Sequence, residues 1–190
     1  MTGSVKLYIA GDMGKIRIIG GIHRSRQLPV LDQDGLRPTL DRVKETLFNW
    51  LGQDLTGQVC LDLFAGSGSL GFEAVSRNAA KTVMVEKSAK VTQQLKDNVK
   101  LLRADNCLVV NDDALRFLAS NQLKFDVIFL DPPYSSDLLA ESLQIVSEHL
   151  TVNGVIYVEY HQNIPELSQF NILKQGRAGS VNYALLSKKE

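Results

Sequence analysis

The chain has 190 residues, 44% of them hydrophobic and 22% charged, with 21 basic and 21 acidic side chains in balance. This composition suits one globular domain with a full core, and it excludes a low-complexity chain. No apolar run approaches the roughly 20 residues that a membrane-spanning helix needs, and the opening MTGSVKLYIAGDMGK lacks the apolar stretch of a signal peptide, so a cytoplasmic protein is expected.

Charge is unevenly distributed. Residues 1–30 hold Lys6, Lys15, Arg17, Arg24 and Arg26 against Asp12 alone, a local charge of +4 that leaves −4 for the remainder. In this basic end, KIRIIGGIHRSRQLPV reads as two short strands around a Gly20-Gly21 turn, followed by the loop LDQDGLRP. A helix is expected from near Thr39, with Pro38 just before it, Asp41 in its first turn, and Val43, Leu47 and Trp50 on one face.

From Val59 strands and helices alternate. The strand VCLDLF precedes a helix from Ser69 to about Arg77; TVMVE precedes a helix opened by Ser88, whose Val91, Leu95, Val99 and Leu102 form a core-facing stripe. CLVVN leads to a helix around Ala114–Ala119, and FDVIFL is followed, after two prolines, by a helical segment from Leu138 to Leu150 and the strand GVIYVEY. Near-continuous apolar strands separated by helices predict a parallel sheet covered on both faces. FNILKQ and SVNYALLS, linked by GRAG, predict a closing antiparallel hairpin. Cys60 and Cys107 each stand alone in apolar surroundings, without His or Asp at metal spacing, so buried inert thiols and no metal site are expected.

Gly66, Gly68 and Gly71 spell GxGxxG at the end of the first parallel strand, with Glu86 closing the next. That is the spacing of a dinucleotide fingerprint. Asp62, however, precedes Gly66 by four positions and would repel a pyrophosphate; beside a sulfonium and an amino group it would attract. The pattern therefore suits S-adenosylmethionine better than NAD. Glu86 would accept from the ribose hydroxyls, and Asp112 or Asp113 from the adenine amino group, with Ala114 beneath the ring. Both aspartates equally well cap the helix that follows them.

The segment Asp131-Pro132-Pro133-Tyr134 ends the fourth parallel strand, where proline can neither continue a sheet nor start a helix freely. An exocyclic amine on a base or amide is a poor nucleophile, because its lone pair is delocalised, and it must pyramidalise to attack a methyl group. The Asp131 side chain and the Pro132 carbonyl would accept from its two N–H bonds, the prolines would hold both acceptors rigid, and Tyr134 would stack on the base.

LDLFAGSGSLGFEAVSR together with DPPY resembles the class I S-adenosylmethionine-dependent amino methyltransferases. IRIIGGIHRSRQLPV, GLRPTLDRVKETLFNWL and the closing GSVNYALL are similar, more narrowly, to the bacterial family that methylates N2 of a guanine in 16S ribosomal RNA. The resemblance runs from about Ile16 to Leu186. It implies an α/β, Rossmann-like seven-stranded sheet, mostly parallel with a C-terminal antiparallel hairpin. A small N-terminal β appendage over residues 1–36 would precede a methyltransferase domain over 37–190. It also implies an assembling small ribosomal subunit as substrate. Nothing in the sequence calls for an obligate dimer, so a monomer is expected. Carried over, Asp62, Phe64, Ala65, Gly66, Ser67 and Gly68 are the cofactor loop, Asp131 to Tyr134 the catalytic segment, and Arg37 and Thr39 line the cleft beside them. Asn78 stands where the family pattern has glycine, and residues 1–15 extend ahead of its usual start.

Arg17, His23, Arg24 and Arg26 are then expected to track RNA phosphates, with target choice set by RNA shape. The rival enzyme readings are a DNA adenine-N6 or a protein glutamine-N5 methyltransferase, and a DNA enzyme would add a target-recognition region that is not visible. An NAD-dependent oxidoreductase would need a hydride-transfer set of side chains, and a non-catalytic RNA-binding assembly factor would not need Asp131.

Overall fold

The β-branched and aromatic runs of the middle of the chain become the strands of one seven-stranded sheet. The computed structural model describes residues 14–31, 41–133, 137–161 and 165–189. In chain order the elements are β1 (Gly14–Arg17), β2 (Gln27–Val30), α1 (Asp41–Trp50), β3 (Val59–Asp62), α2 (Ser69–Ser76), β4 (Lys81–Glu86) and α3 (Ala89–Leu102). They are followed by β5 (Cys107–Asn111), α4 (Ala114–Ser120), β6 (Phe125–Leu130), α5 (Leu138–Ile145), β7 (Leu150–Tyr160), β8 (Phe170–Ala178) and β9 (Val181–Lys188).

The sheet order is β5-β4-β3-β6-β7-β9-β8, with β3, β4, β5, β6 and β7 parallel and β9 antiparallel to both β7 and β8. The chain moves outward from β3 to β5, then returns to the other side of β3 with β6. Strand order therefore reverses between β3 and β6, and the crevice outside their C-terminal ends is where an open α/β sheet receives a ligand.

Alternating side chains distribute the core to two faces. Leu61, Ile128, Leu130, Ile156 and Val158 pack with Leu118 of α4 and Leu139 and Leu143 of α5. On the other face Cys60, Phe129 and Tyr157 pack under Val43, Leu47 and Phe48 of α1 and Leu70 and Ala74 of α2. The β1-β2 hairpin joins this second side: Ile16, Ile18, Leu28 and Val30 share a cluster with Phe72, Val75, Met84, Val91 and Leu95.

Three expectations shift in detail. The hairpin reverses over a longer loop than a two-residue Gly20-Gly21 turn: Ile18 N–H donates to Arg26 O at 2.9 Å and Ser25 N–H to Ile18 O at 2.8 Å, so the loop runs from Ile19 to Arg24 with both glycines inside it, and the chain turns over Ile22–Ser25. The helix expected to reach Leu150 stops at Ile145, passes through a 3-10 turn over Val146–His149, and gives way to β7 from Leu150. Thr151 is β-branched, and its hydroxyl donates to Asp126 Oδ1 at 2.8 Å, which fastens the strand beside β6. In the closing hairpin Gly176 and Arg177 remain in β8 opposite Tyr183 and Asn182, leaving Gly179 and Ser180 as the loop.

Cys60 is buried, Cys107 is partly buried, and burial pushes both thiols up to about 12. Among the described residues no helix is long and apolar enough to cross a membrane, and no group of acidic, His or Cys side chains could hold a metal ion.

Candidate functional site

The loop after β3 is built by backbone hydrogen bonds. Ala65 N–H donates to Val85 O at 2.9 Å and Gly68 N–H to Ala65 O at 2.7 Å, which folds Phe64 to Ser67 tightly over the end of the sheet. Gly68, which caps α2, has a left-handed φ of 78°, and a Cβ there would lie 2.5 Å from the Phe72 ring. No other residue fits that turn without strain. Ser69 Oγ, buried in the first turn of α2, has no hydrogen-bond partner among the described residues.

Asp62 and Glu86 flank this loop. Asp62 is 3% exposed, and its Oδ2 accepts from Gly71 N–H at 2.9 Å. Burial lifts its carboxyl to about 7; the Gly71 hydrogen bond works against the rise, and the Glu86 charge adds to it. Glu86 accepts from Gly66 N–H at 3.1 Å through one oxygen and from Ser88 N–H at 2.7 Å through the other. A carboxylate has about four acceptor positions, so two remain for a ligand hydroxyl pair.

Beyond β5, Asp113 is the N-cap of α4, accepting from Leu115 N–H at 3.1 Å and Arg116 N–H at 3.3 Å, with Lys87 3.6 Å away. Asp112 accepts from Asp113 N–H and is paired with Arg116. Ala114 is buried in the sheet-facing cluster beside them. Glu86 and Asp112 meet at the strand ends, where Asp112 N–H donates to Glu86 O at 3.2 Å.

At the end of β6, Asp131 is partly exposed, Pro132 is buried and Pro133 is exposed. Leu130 pairs in register with Val158, so the next residues, Asp131 and Glu159, extend side by side on the face of α1 and α2. Glu159 is 5% exposed, pairs across the sheet with Tyr183, and accepts from Tyr157 Oη at 2.7 Å. Burial first, then the charges of Glu159 and Asp62, hold the Asp131 carboxyl well above the ordinary aspartate range. The sequence reading passed over Glu159. Its signal is an acid on the inward-facing alternation of GVIYVEY, a position where a strand otherwise places apolar side chains.

Tyr134, Arg37 and Thr39 lie outside the described residues. Of the basic residues expected at RNA, Arg17 is paired with Asp41 at 2.7 Å, Arg26 reaches the Leu101 carbonyl of α3 at 3.4 Å, and Arg24 is exposed on the hairpin turn. His23 donates its backbone N–H to Ser76 Oγ at 2.9 Å, and burial, helped by Arg26, lowers its imidazole so that it is neutral at pH 7.

The donor set at the switch point is acidic throughout: Asp62, Glu86, Asp112, Asp131 and Glu159. Such a lining disfavours a dinucleotide pyrophosphate and fits a ligand that brings positive charge, an amino group and vicinal hydroxyls. Together with the strand order and the glycine loop, it defines a class I S-adenosylmethionine-dependent methyltransferase.

A family described as Conserved hypothetical protein 95 matches residues 16–187. The ribosomal RNA small subunit methyltransferase D of Haemophilus influenzae is 45% identical over 188 residues, covering 95% of this chain and 97% of that protein. The protein of the same name from Escherichia coli K12 is 43% identical, covering 93% of this chain and 91% of its own. A solved methyltransferase structure from Escherichia coli superposes with a TM-score of 0.82 at 43% identity, covering 93% of this chain and 99% of that one. A more distant methyltransferase, solved with S-adenosylhomocysteine, has a TM-score of 0.73 at 16% identity and shares the fold. The chain belongs to the family of ribosomal RNA small subunit methyltransferase D.

Proposed function

We propose that the protein transfers a methyl group from S-adenosylmethionine to the exocyclic N2 of a guanine in 16S ribosomal RNA, within an assembling small ribosomal subunit. The relatives named for ribosomal RNA of the small subunit support the substrate class. The observation that supports the chemistry is the place of the Asp131-Pro132 corner at the switch point, directly after β6 and beside the buried carboxyls Asp62 and Glu159.

S-adenosylmethionine, when bound, supplies an electrophilic methyl group on a sulfonium. In this reading Asp62 faces its positive methionyl end, Glu86 holds the ribose hydroxyls, and Asp112 and Ala114 border the adenine, while Asp113 keeps the α4 cap. Phe64, Ala65, Gly66, Ser67 and Gly68 bring backbone close to the ligand. Asp131 and the Pro132 carbonyl accept from the two guanine N–H bonds in directions that favour a tetrahedral nitrogen, and Pro133 stiffens the corner. As the new C–N bond forms, the C–S bond breaks and the sulfur keeps its electron pair. The methylated nitrogen then gives up one proton to water. Tyr134 is the expected stacking partner of the base, with Arg37 and Thr39 beside it. Residues 1–36 act as the appendage that meets RNA, through Arg17, Arg24 and Arg26, and residues 37–190 as the catalytic domain.

The deciding experiment incubates the protein with methyl-labelled S-adenosylmethionine and small subunits lacking the modification, followed by nucleoside mass spectrometry. Label in N2-methylguanosine is expected. Label confined to another nucleoside, to protein, or to DNA supplied in parallel would replace this reading with one of the rival methyltransferases.

A further inference from the structure

A second concavity lies apart from the switch point. It has a volume of about 670 Å³ and opens between the hairpin turn, the first turns of α1 and the C-terminal end of α2. Arg17, Arg24, Arg42 and Arg77 line it against Asp41 and Glu45, and no residue of the cofactor loop or of the Asp131 corner contributes. Asp41 is taken up by Arg17 at 2.7 Å. Arg24 and Arg42, both exposed, form no ion pair among the described residues, and Glu45 is the acidic side chain that shares the lining with them once Asp41 is taken up by Arg17.

The floor is constructed rather than incidental. Arg77 is 4% exposed, lies over the Phe48 ring at 4.6 Å, donates from Nε to Glu73 at 3.0 Å, and is also held by the Gln53 side chain. Gly20 abuts its guanidinium: a Cβ there would come within 2.2 Å of Nη2. Gly21 has φ +75, and its Cβ would lie 1.8 Å from the Ser76 carbonyl. The glycine pair inside the hairpin loop therefore also docks the hairpin on α2, with the buried guanidinium fixed at the junction.

We propose that this cleft binds a phosphodiester of the substrate RNA, with Arg24 and Arg42 as its arms and Arg77 as its fixed base. The inference rests on the ribosomal RNA reading above and adds a separate grip to it. Guanidinium forks match phosphate oxygens in a way that a point charge does not, and a pre-positioned one loses little freedom on binding. The cleft also lies on the same sheet face as Asp131, separated from the glycine loop by the eight residues of α2, about 12 Å at the rise of a helix. An RNA strand that presents a base at Asp131 would then run along α2 to reach this anchor at its far end.

The test uses the full chain and its Arg24→Ala, Arg42→Ala and doubly substituted variants. RNA affinity is measured by fluorescence anisotropy on an unmodified small-subunit RNA fragment between 50 and 200 mM salt, roughly the range over which phosphate contacts report. S-adenosylmethionine affinity is measured alongside by calorimetry. Each substitution is expected to weaken RNA binding and to make the log–log salt slope shallower by about 1, with cofactor affinity unmoved. Inorganic phosphate added at constant ionic strength should compete with RNA on the wild type and lose that effect on the double variant. A double variant with wild-type RNA affinity and slope, while the wild type methylates RNA, overturns the cleft alone. Phosphate that perturbs the arginine resonances without weakening RNA binding assigns the cleft to a free anion and also overturns it. A wild type that neither binds nor methylates ribosomal RNA overturns both this inference and the functional reading beneath it.

Discussion

Asp62 is a carboxyl in an apolar interior; the Gly71 backbone N–H donates to it, and among the described residues no cation pairs with it. Its pKa is raised from 3.8 to about 7. Between those two values the cofactor-free protein binds more protons than its unfolded chain, so this group makes stability fall as pH rises through that window. A cationic ligand reverses the balance. S-adenosylmethionine binding at pH 6 is therefore expected to release about one proton, read as a dependence of calorimetric heat on buffer ionisation enthalpy. The release should vanish in Asp62→Asn; an identical buffer dependence in that variant would contradict the assignment. Asp131→Asn keeps the shape but exchanges an acceptor for a donor. It is expected to lower the methyl-transfer rate by about 10²–10³-fold while cofactor binding persists. Glu159 raises the Asp131 carboxyl through its charge. Glu159→Gln should thus move the acidic limb of the pH–rate profile to lower pH, and a limb that stays in place would separate the two carboxyls.

At the scale of elements, α2 is the hub. Its Glu73 is fully buried and meets Lys44 of α1 at 3.5 Å, Arg77 at 3.0 Å, and the N–H groups of Ile19 and Gly20 at 3.0 and 2.8 Å. Lys44, 1% exposed, also donates to the Arg17 carbonyl at 2.6 Å. One carboxylate thus joins the hairpin, α1 and α2. Removing it leaves two buried cations and two amide donors without their partner, and Glu73→Ala is expected to cost about 3–5 kcal/mol. Urea unfolding would show this as a lower midpoint. A midpoint unchanged from wild type would mean that the hairpin docks by its apolar residues alone.

Across the whole molecule, what was legible in the sequence was what local pattern encodes. The apolar strands, the glycine loop, the Ser88 cap of α3 and the rigid Asp131-Pro132 corner are each written in a few adjacent residues, and the open parallel sheet follows from their alternation. The rest depends on contacts between distant segments. Gly20 and Glu73 meet across 53 positions, so a glycine pair that local pattern marks as part of a turn is also a docking point, which no local spacing reveals. Glu159 acquires its meaning from the β6-β7 register, and Arg42 and Arg77 from the packing of α1 against α2. No periodicity in a single segment reveals those.

The two native thiols have a practical bearing on work with this protein. With Cys60 and Cys107 both held near 12, only about 10⁻⁵ of either is thiolate at neutral pH, and the thiolate is the reacting species. The folded chain is accordingly expected to react only slowly with maleimides, which a labelling time course would check. A single cysteine introduced at Ile22, 70% exposed on the hairpin turn, would carry the sole fluorophore and report the arrival of a nucleic acid there.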